Sequence, residues 1–202
     1  MTHSPTDLKE IIGRTRTVRR FAAGKQLQQE DINQLIDAAR LGGSARNGQP
    51  WQYMVVIEPD LCDKIFPQLG WAGYLTDWHG PALTERPVGY IICLLNHDRL
   101  NVGRKDAMVD LGISSQNILL LATTMGLAGC RIGSISPEIN DLFIIPPHLT
   151  IELVIALGTP GEQIILETGK EEQDTEYWRD NDETHHVPKR PLEELTLTLQ
   201  LR

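Results

Sequence analysis

A single domain of mixed helices and strands is what the sequence of 202 residues predicts, and three observations carry that reading. Within Glu30 to Leu41, Ile32, Leu35, Ile36 and Ala39 fall at i, i+3, i+4 and i+7, the stripe of an amphipathic helix. Tyr53 to Ile57, Val88 to Leu95 and Ile151 to Leu157 are apolar runs of strand length, as in strands buried within a sheet. Between the last two lies Asp106 to Met125, a long helix candidate with apolar residues nearly all round. Hydrophobic content of 41% and charged content of 23% suit a soluble chain with one sizeable core, so residues 1–202 are read as one domain.

In chain order, Thr6 caps a short first helix running to Ile12. Arg14 to Lys25 then carries Arg14, Arg16, Arg19, Arg20 and Lys25 with no acid. Such a cluster in an acidic protein serves either a bound anion or an acidic partner surface, or else is a solvated basic face that pairs with the acidic tail. After the helix at Glu30 to Leu41 comes Ser44-Ala-Arg-Asn-Gly-Gln-Pro-Trp51, a tight polar loop between two buried elements. Asn47 and Gln49 each present donors and acceptors and Ser44 a hydroxyl, which suits a polar, planar ligand. Alternatively, Asn47-Gly48 is only a turn. Leu61 to Leu69 is a weak helix interrupted by Pro67. Gly70 to Pro87 holds Trp71, Tyr74, Trp78 and His79 without a period, and is either a lid or, more commonly, a covering loop whose aromatics pack down.

The long helix at Asp106 to Met125 belongs at a core or a subunit interface and is stopped by Gly126 to Gly129. Cys130 to Ser134 is a short strand or turn, and Ser136-Pro137 starts a helix over Glu138 to Phe143. Glu167 to Glu183 sets eight acids against two bases, so 167–184 is read as an exposed acidic segment. The extension 185–202 regains order signals at His185 to Leu192, and Leu195 to Leu201 alternates as an edge strand does, able to join a sheet of this or another subunit.

Several classes are excluded by what is absent. A net charge of −8 disfavours a nucleic-acid binder and suits a cytoplasmic protein. Met1 to Gly13 lacks a signal-peptide core, and no apolar run approaches the ~20 residues of a membrane span. Cys62, Cys93 and Cys130 are isolated, which indicates neither a disulfide framework nor zinc. His185 and His186 are neighbours that point opposite ways on an extended chain, so no metal is expected. The dinucleotide and phosphate-loop glycine motifs and the nucleophile elbow are missing.

The ordered set Arg16-Thr-Val-Arg-Arg-Phe21, Leu35-Ile-Asp-Ala-Ala-Arg40, Ser44 to Trp51, Gly126-Leu-Ala-Gly-Cys-Arg-Ile-Gly133 and Val187-Pro-Lys-Arg190 resembles the FMN-dependent nitroreductase family over nearly the whole chain. The resemblance implies an α+β fold with a central, mostly antiparallel sheet wrapped by helices. It also implies an intertwined homodimer with FMN at the subunit interface. Thr17 and Arg19 then face the flavin, while the first arginine of the family's run falls on Thr15, leaving Arg14 or Arg16 to stand in. Ser44, Ala45, Asn47 and Gln49 serve the flavin of the other subunit. Arg131, Ile132 and Gly133 pass one flavin face, and Lys189 and Arg190 meet the phosphate.

The implied activity is ping-pong hydride transfer from NADH or NADPH through FMN to an electron-poor acceptor such as a nitroaromatic or quinone. Trp71 and Tyr74 form the acceptor-side wall, and no protein acid or base is named. The alternatives are a related flavin enzyme acting on an enone, a haloaromatic or flavin itself, and a non-enzymatic FMN-binding protein.

Overall fold

The run at 88–95 becomes the middle of a five-stranded sheet in the computed structural model, which describes residues 5–169 and 175–197. The elements are α1 (Pro5–Arg14), β1 (Phe21–Ala22), α2 (Gln29–Arg40), β2 (Trp51–Val56), α3 (Pro59–Ile65), β3 (Gly89–Asn96), α4 (Arg104–Thr124), β4 (Ala128–Ile132), β5 (Leu149–Pro160), β6 (Ile164–Thr168), β7 (Trp178–Arg179) and β8 (His185–Lys189). Strand order is β1-β5-β3-β2 with β4 also on β5, and every one of these pairings is antiparallel. All eight residues of β3 are buried.

The alternation of β3 divides the core in two. Tyr90, Ile92 and Leu94 face one side with Val18, Phe21, Ile65 and Ile132. Ile91 and Cys93 face the other, where α2 (Ile32, Leu35) and α4 (Leu111, Ile118) cover the sheet. The stripe read in α2 is thus its buried face, and its first turn is fixed by Asp31, whose carboxylate accepts the Gln28 amide at 3.0 Å. Helix α4 buries Ala107, Leu111, Ile118 and Ala122, yet Met108, Val109 and Ile113 remain on its outer side. None of the described helices is long and apolar enough to cross a membrane.

Strands β6, β8 and β7 form a second, three-stranded sheet in which β6 runs parallel to β8 and β7 antiparallel to it. These strands were not legible as such. They carry Glu167, His185 and His186, and their pairing depends on neighbours distant in sequence rather than on any period. Conversely, the alternating run at Leu195 to Leu201 is not a strand where it is described. Leu195 closes a 3₁₀ turn over Leu192–Leu195, Leu197 is 86% exposed, and 198–202 lie outside the described residues. Alternation specifies a strand only where an edge is offered for pairing. The helix expected at Glu138 to Phe143 is a 3₁₀ turn, Pro137–Leu142.

Candidate functional site

The basic run lies extended along β4: the Val18 amide donates to the Gly129 carbonyl at 3.1 Å, and Thr17 is bridged to Gly129. Three of its five cations are answered by carboxylates. Arg14 meets Glu10 at 3.8 Å, Arg20 meets Glu183 at 2.6 Å, and Lys25 meets Asp31 at 2.5 Å. Of these partners only Glu183 belongs to the acidic tail, so the expected pairing with that tail is met at Arg20, while Arg14 and Lys25 pair with acids near them in sequence. No carboxylate lies within ion-pair range of Arg16 or Arg19 among the described residues.

Arg16 donates one Nη2 hydrogen to the Ile12 carbonyl at 2.8 Å, and its buried Nε has no hydrogen-bond partner among the described residues. Burial lowers its pKa, the mark of a cation taken from water without full compensation. It lines a cavity of about 330 Å³ with Arg14, Val18, Gly126, Ala128 and Glu162. Strand β6 forms another wall through Ile164 and Leu166. Arg19 places its guanidinium over the Tyr177 ring, 4.5 Å from the centroid. An unpaired, half-buried guanidinium with an orphaned N–H suits a phosphate or a polar ring edge, so the residues present fit a phosphorylated flavin.

The Ser44 loop is built differently. Ser44 Oγ donates to Asp110 Oδ2 at 2.7 Å and accepts the Gln49 amide at 3.0 Å. The Ala45 amide donates to Asp110 Oδ1 at 3.0 Å, and Gln49 Nε2 donates to Asn47 Oδ1, also at 3.0 Å. Arg46, Asn47 and Gln49 hold φ of 51°, 53° and 46°, so three non-glycine residues sit in the left-handed region. Strain of that kind persists where surrounding structure enforces it, commonly at binding loops. Ser44 and Gln49 line a second cavity of about 260 Å³ beside Tyr53, Asp110 and Ser114, sharing no residue with the first. Within one chain the structure does not unite this loop with Arg16.

The other expected residues fall as follows. Arg131 is turned toward α4, with Nε 2.9 Å from Ser115 Oγ and Nη2 donating to the side-chain Oε1 of Gln116; burial lowers its pKa. Ile132 is core, Gly133 is exposed at the end of β4, and Thr17 is exposed. Lys189 ends β8, opposite Thr168 of the cavity-lining β6, and Arg190 pairs with Glu194 at 3.1 Å. Trp71 packs down onto Phe66 at 5.4 Å between ring centroids, whereas Tyr74 is 57% exposed and contacts Tyr177 edge-on at 5.0 Å. Glu162 and Tyr177, which hold and cover the basic run, carried no motif. A lone acid after Gly161 and a tyrosine in an acidic segment have no spacing to betray them.

The Nitroreductase family profile matches residues 12–159. A protein of Methanothermobacter thermautotrophicus named "Putative NADH dehydrogenase/NAD(P)H nitroreductase" is 32% identical over 164 residues, covering 79% of this chain and 80% of that one. Among solved structures, "a putative nitroreductase in complex with fmn" from Desulfovibrio desulfuricans aligns with TM-score 0.67 and 21% identity over the whole of both chains. An FMN-dependent nitroreductase from Clostridium difficile R20291 aligns with TM-score 0.60 and 18% identity, covering 76% of this chain and 87% of that one. The two structural likenesses speak for the fold.

Proposed function

Since this chain belongs to the nitroreductase family, we propose that it is an FMN-dependent oxidoreductase taking electrons from NADH or NADPH. It passes them by a ping-pong route to an electron-poor small molecule, a nitroaromatic, a quinone or a compound like them. The observation that carries this is the state of the basic run: Arg16 and Arg19 alone among its cations lack a carboxylate partner within the described residues, and Arg16 lines a cavity with an orphaned N–H.

Bound FMN supplies the centre that accepts a hydride from the nicotinamide and returns electrons to the acceptor. The chain's residues bind and orient it. Arg16 answers the phosphate together with Lys189 and Arg190, since guanidinium forks and ammonium groups meet phosphate oxygens with charge-assisted bonds. Arg19 and the Thr17 hydroxyl face the ribityl and pyrimidine side, where a cation favours added negative charge. The Gly133 amide, beyond Arg131 and Ile132 at the end of β4, offers a donor to the ring. Tyr74 and Trp71 form the acceptor-side wall, Tyr74 exposed against Tyr177 and Trp71 buried on Phe66.

The site is completed by a second copy of the chain. Two features support a homodimer: the apolar Met108, Val109 and Ile113 on the outer side of α4, and a strained Ser44 loop held away from Arg16 in its own chain. In the dimer, Ser44, Ala45, Asn47 and Gln49 reach the partner's flavin. The acidic charge and three free buried cysteines suit the reducing cytoplasm.

The test is an absorption spectrum of the purified protein before and after anaerobic addition of NADH or NADPH. A flavin spectrum bleached by either nucleotide is expected. Protein that cannot be reconstituted with FMN overturns the proposal, and bound flavin that neither nucleotide reduces leaves a binding protein without reductase activity. Arg190→Ala is expected to weaken FMN retention; unchanged affinity removes Arg190 from the phosphate.

A further inference from the structure

Glu162 occupies the turn between β5 and β6, and its side chain is only 2% exposed. One carboxylate oxygen, Oε1, accepts the backbone amides of Arg19 and of Arg20, the latter at 3.2 Å. The other, Oε2, accepts from Arg179 Nη2 at 2.8 Å and faces His185 Nδ1 at 3.5 Å. Arg179 and His185 are themselves 8% and 1% exposed. A buried carboxylate is costly unless its lone pairs are satisfied, and this one is satisfied from two directions that share no local sequence. Oε1 grips the basic run. Oε2 grips β7 through Arg179 and faces the start of β8 at His185, and β8 begins at His185 and ends at Lys189. Five residues of strand span about 13 Å, a rigid spacer from the carboxylate to the C-terminal basic pair.

Building on the reading of the chain as an FMN enzyme, we propose that Glu162 is the positioning residue of the flavin site. Its two oxygens hold the Arg16–Arg19 run and the strand bearing Lys189 at a fixed separation, set to one FMN, and aim the Arg19 side chain. Burial by itself would raise the Glu162 pKa. The contact with His185, the Arg19 amide and the Arg179 charge outweigh it and hold the group at about 2, so the clamp is ionised under any ordinary assay condition. Tyr177 lies next to the clamped strands, touching His185 at 5.3 Å between centroids and carrying the Arg19 guanidinium, so movement of β7 or β8 also shifts what Arg19 rests on.

The experiment compares wild type with Glu162→Gln, which keeps size but can no longer answer donors on both sides, and Glu162→Asp, which keeps charge but loses reach. Asp31→Asn serves as a control, because Asp31 is a buried carboxylate tied to Lys25 and the α2 start, away from the cavity. Folding is checked by circular dichroism; FMN dissociation constant and the midpoint potential of bound FMN are then measured. The folded Glu162 variants are expected to bind FMN about tenfold more weakly and to show a more negative potential, as Arg19 loses its placement. Asp31→Asn is expected to move neither. Should Glu162→Gln not fold, Glu162→Asp gives the same reading. Folded variants with wild-type affinity and potential, or equal shifts in Asp31→Asn, overturn the assignment alone. Wild-type protein that takes up no FMN overturns both it and the reading beneath it.

Discussion

Ser44 and Asp110 are joined by a 2.7 Å hydrogen bond from the Ser44 hydroxyl to Oδ2, and the same carboxylate accepts the Ala45 amide. A helix residue thereby fixes the entry to a loop whose Arg46, Asn47 and Gln49 are held at positive φ. Asp110→Ala would leave two buried or half-buried donors without an acceptor. Each charge-assisted bond of this kind is worth about 1.5–3 kcal/mol, so a loss of about 3–6 kcal/mol is expected for the two. The urea midpoint is the measurement, and Asp110→Asn, which keeps an acceptor, should fall less. An unchanged midpoint for Asp110→Ala would show that the loop holds its shape without the helix.

Gly129 gives a second, sharper test. A Cβ there would lie 2.6 Å from the Ala156 carbonyl oxygen of β5 and 2.8 Å from Leu119 Cδ2 of α4. The first contact is backbone and cannot rotate away. Gly129 also receives Val18 from the basic run, so any shift of β4 reaches Arg16 and Arg19. Gly129→Ala is expected to destabilise the fold by about 1–3 kcal/mol and to weaken FMN binding. Gly133→Ala has open space around its Cβ and should leave the thermal midpoint near wild type.

His186 supports a prediction in pH. Its Nδ1 meets Glu167 at 2.6 Å, its Nε2 meets Asp180 at 3.1 Å, and its ring stacks on Trp178 at 4.1 Å between centroids. The imidazole of β8 thus clasps β6 and the segment after β7. Hydrogen bonds donated to Asp180 and then Glu167 raise its pKa from the ordinary 6.5, and the His186 bond lowers that of Asp180 from 3.8. A raised histidine pKa contributes stability that is complete below 6.5 and lost as pH rises through the folded value; a depressed aspartate pKa contributes stability lost as pH falls below 3.8. Trp178 fluorescence should therefore report a clasp strongest between these limits that loosens on the alkaline side. A titration that is the same in His186→Gln would refute this.

How far the sequence was legible follows from which interactions are periodic. The α2 stripe and the apolar β3 run announced their own burial, because each residue's environment is set by the face it shares with near neighbours. The Ser44 loop was legible as a polar loop, but not its anchor: nothing in the spacing of 66 residues links Ser44 to Asp110. Nor does composition say which cations are spoken for. Arg14, Arg16, Arg19 and Arg20 look alike in sequence, and only the fold brings Glu183 to Arg20 while leaving Arg16 without a carboxylate among the described residues. The small sheet was hidden because β6 and β8 pair across a stretch whose composition reads as acidic and exposed.

That inequality among the arginines yields the last prediction, and it decides which residue stands in for the arginine replaced by Thr15. Thr15 is buried, its Oγ1 donating to the Ile11 carbonyl at 2.8 Å and lying 2.9 Å from Thr123 Oγ1, so it is committed to the α1–α4 contact. Arg14 is an exposed partner of Glu10 at 3.8 Å, an arrangement that holds a side chain only weakly. Arg16 is partly desolvated already and has an unanswered Nε, so a phosphate oxygen there gains a charge-assisted bond at little further desolvation cost. Arg16→Gln is expected to weaken FMN binding by about 1.5–3 kcal/mol, roughly ten- to a hundredfold. Arg14→Gln should change it by no more than about threefold, within the range of an exposed ion pair. Fluorescence titration of FMN into the two apo-proteins separates them, and a larger effect at Arg14 would transfer the phosphate contact to that residue.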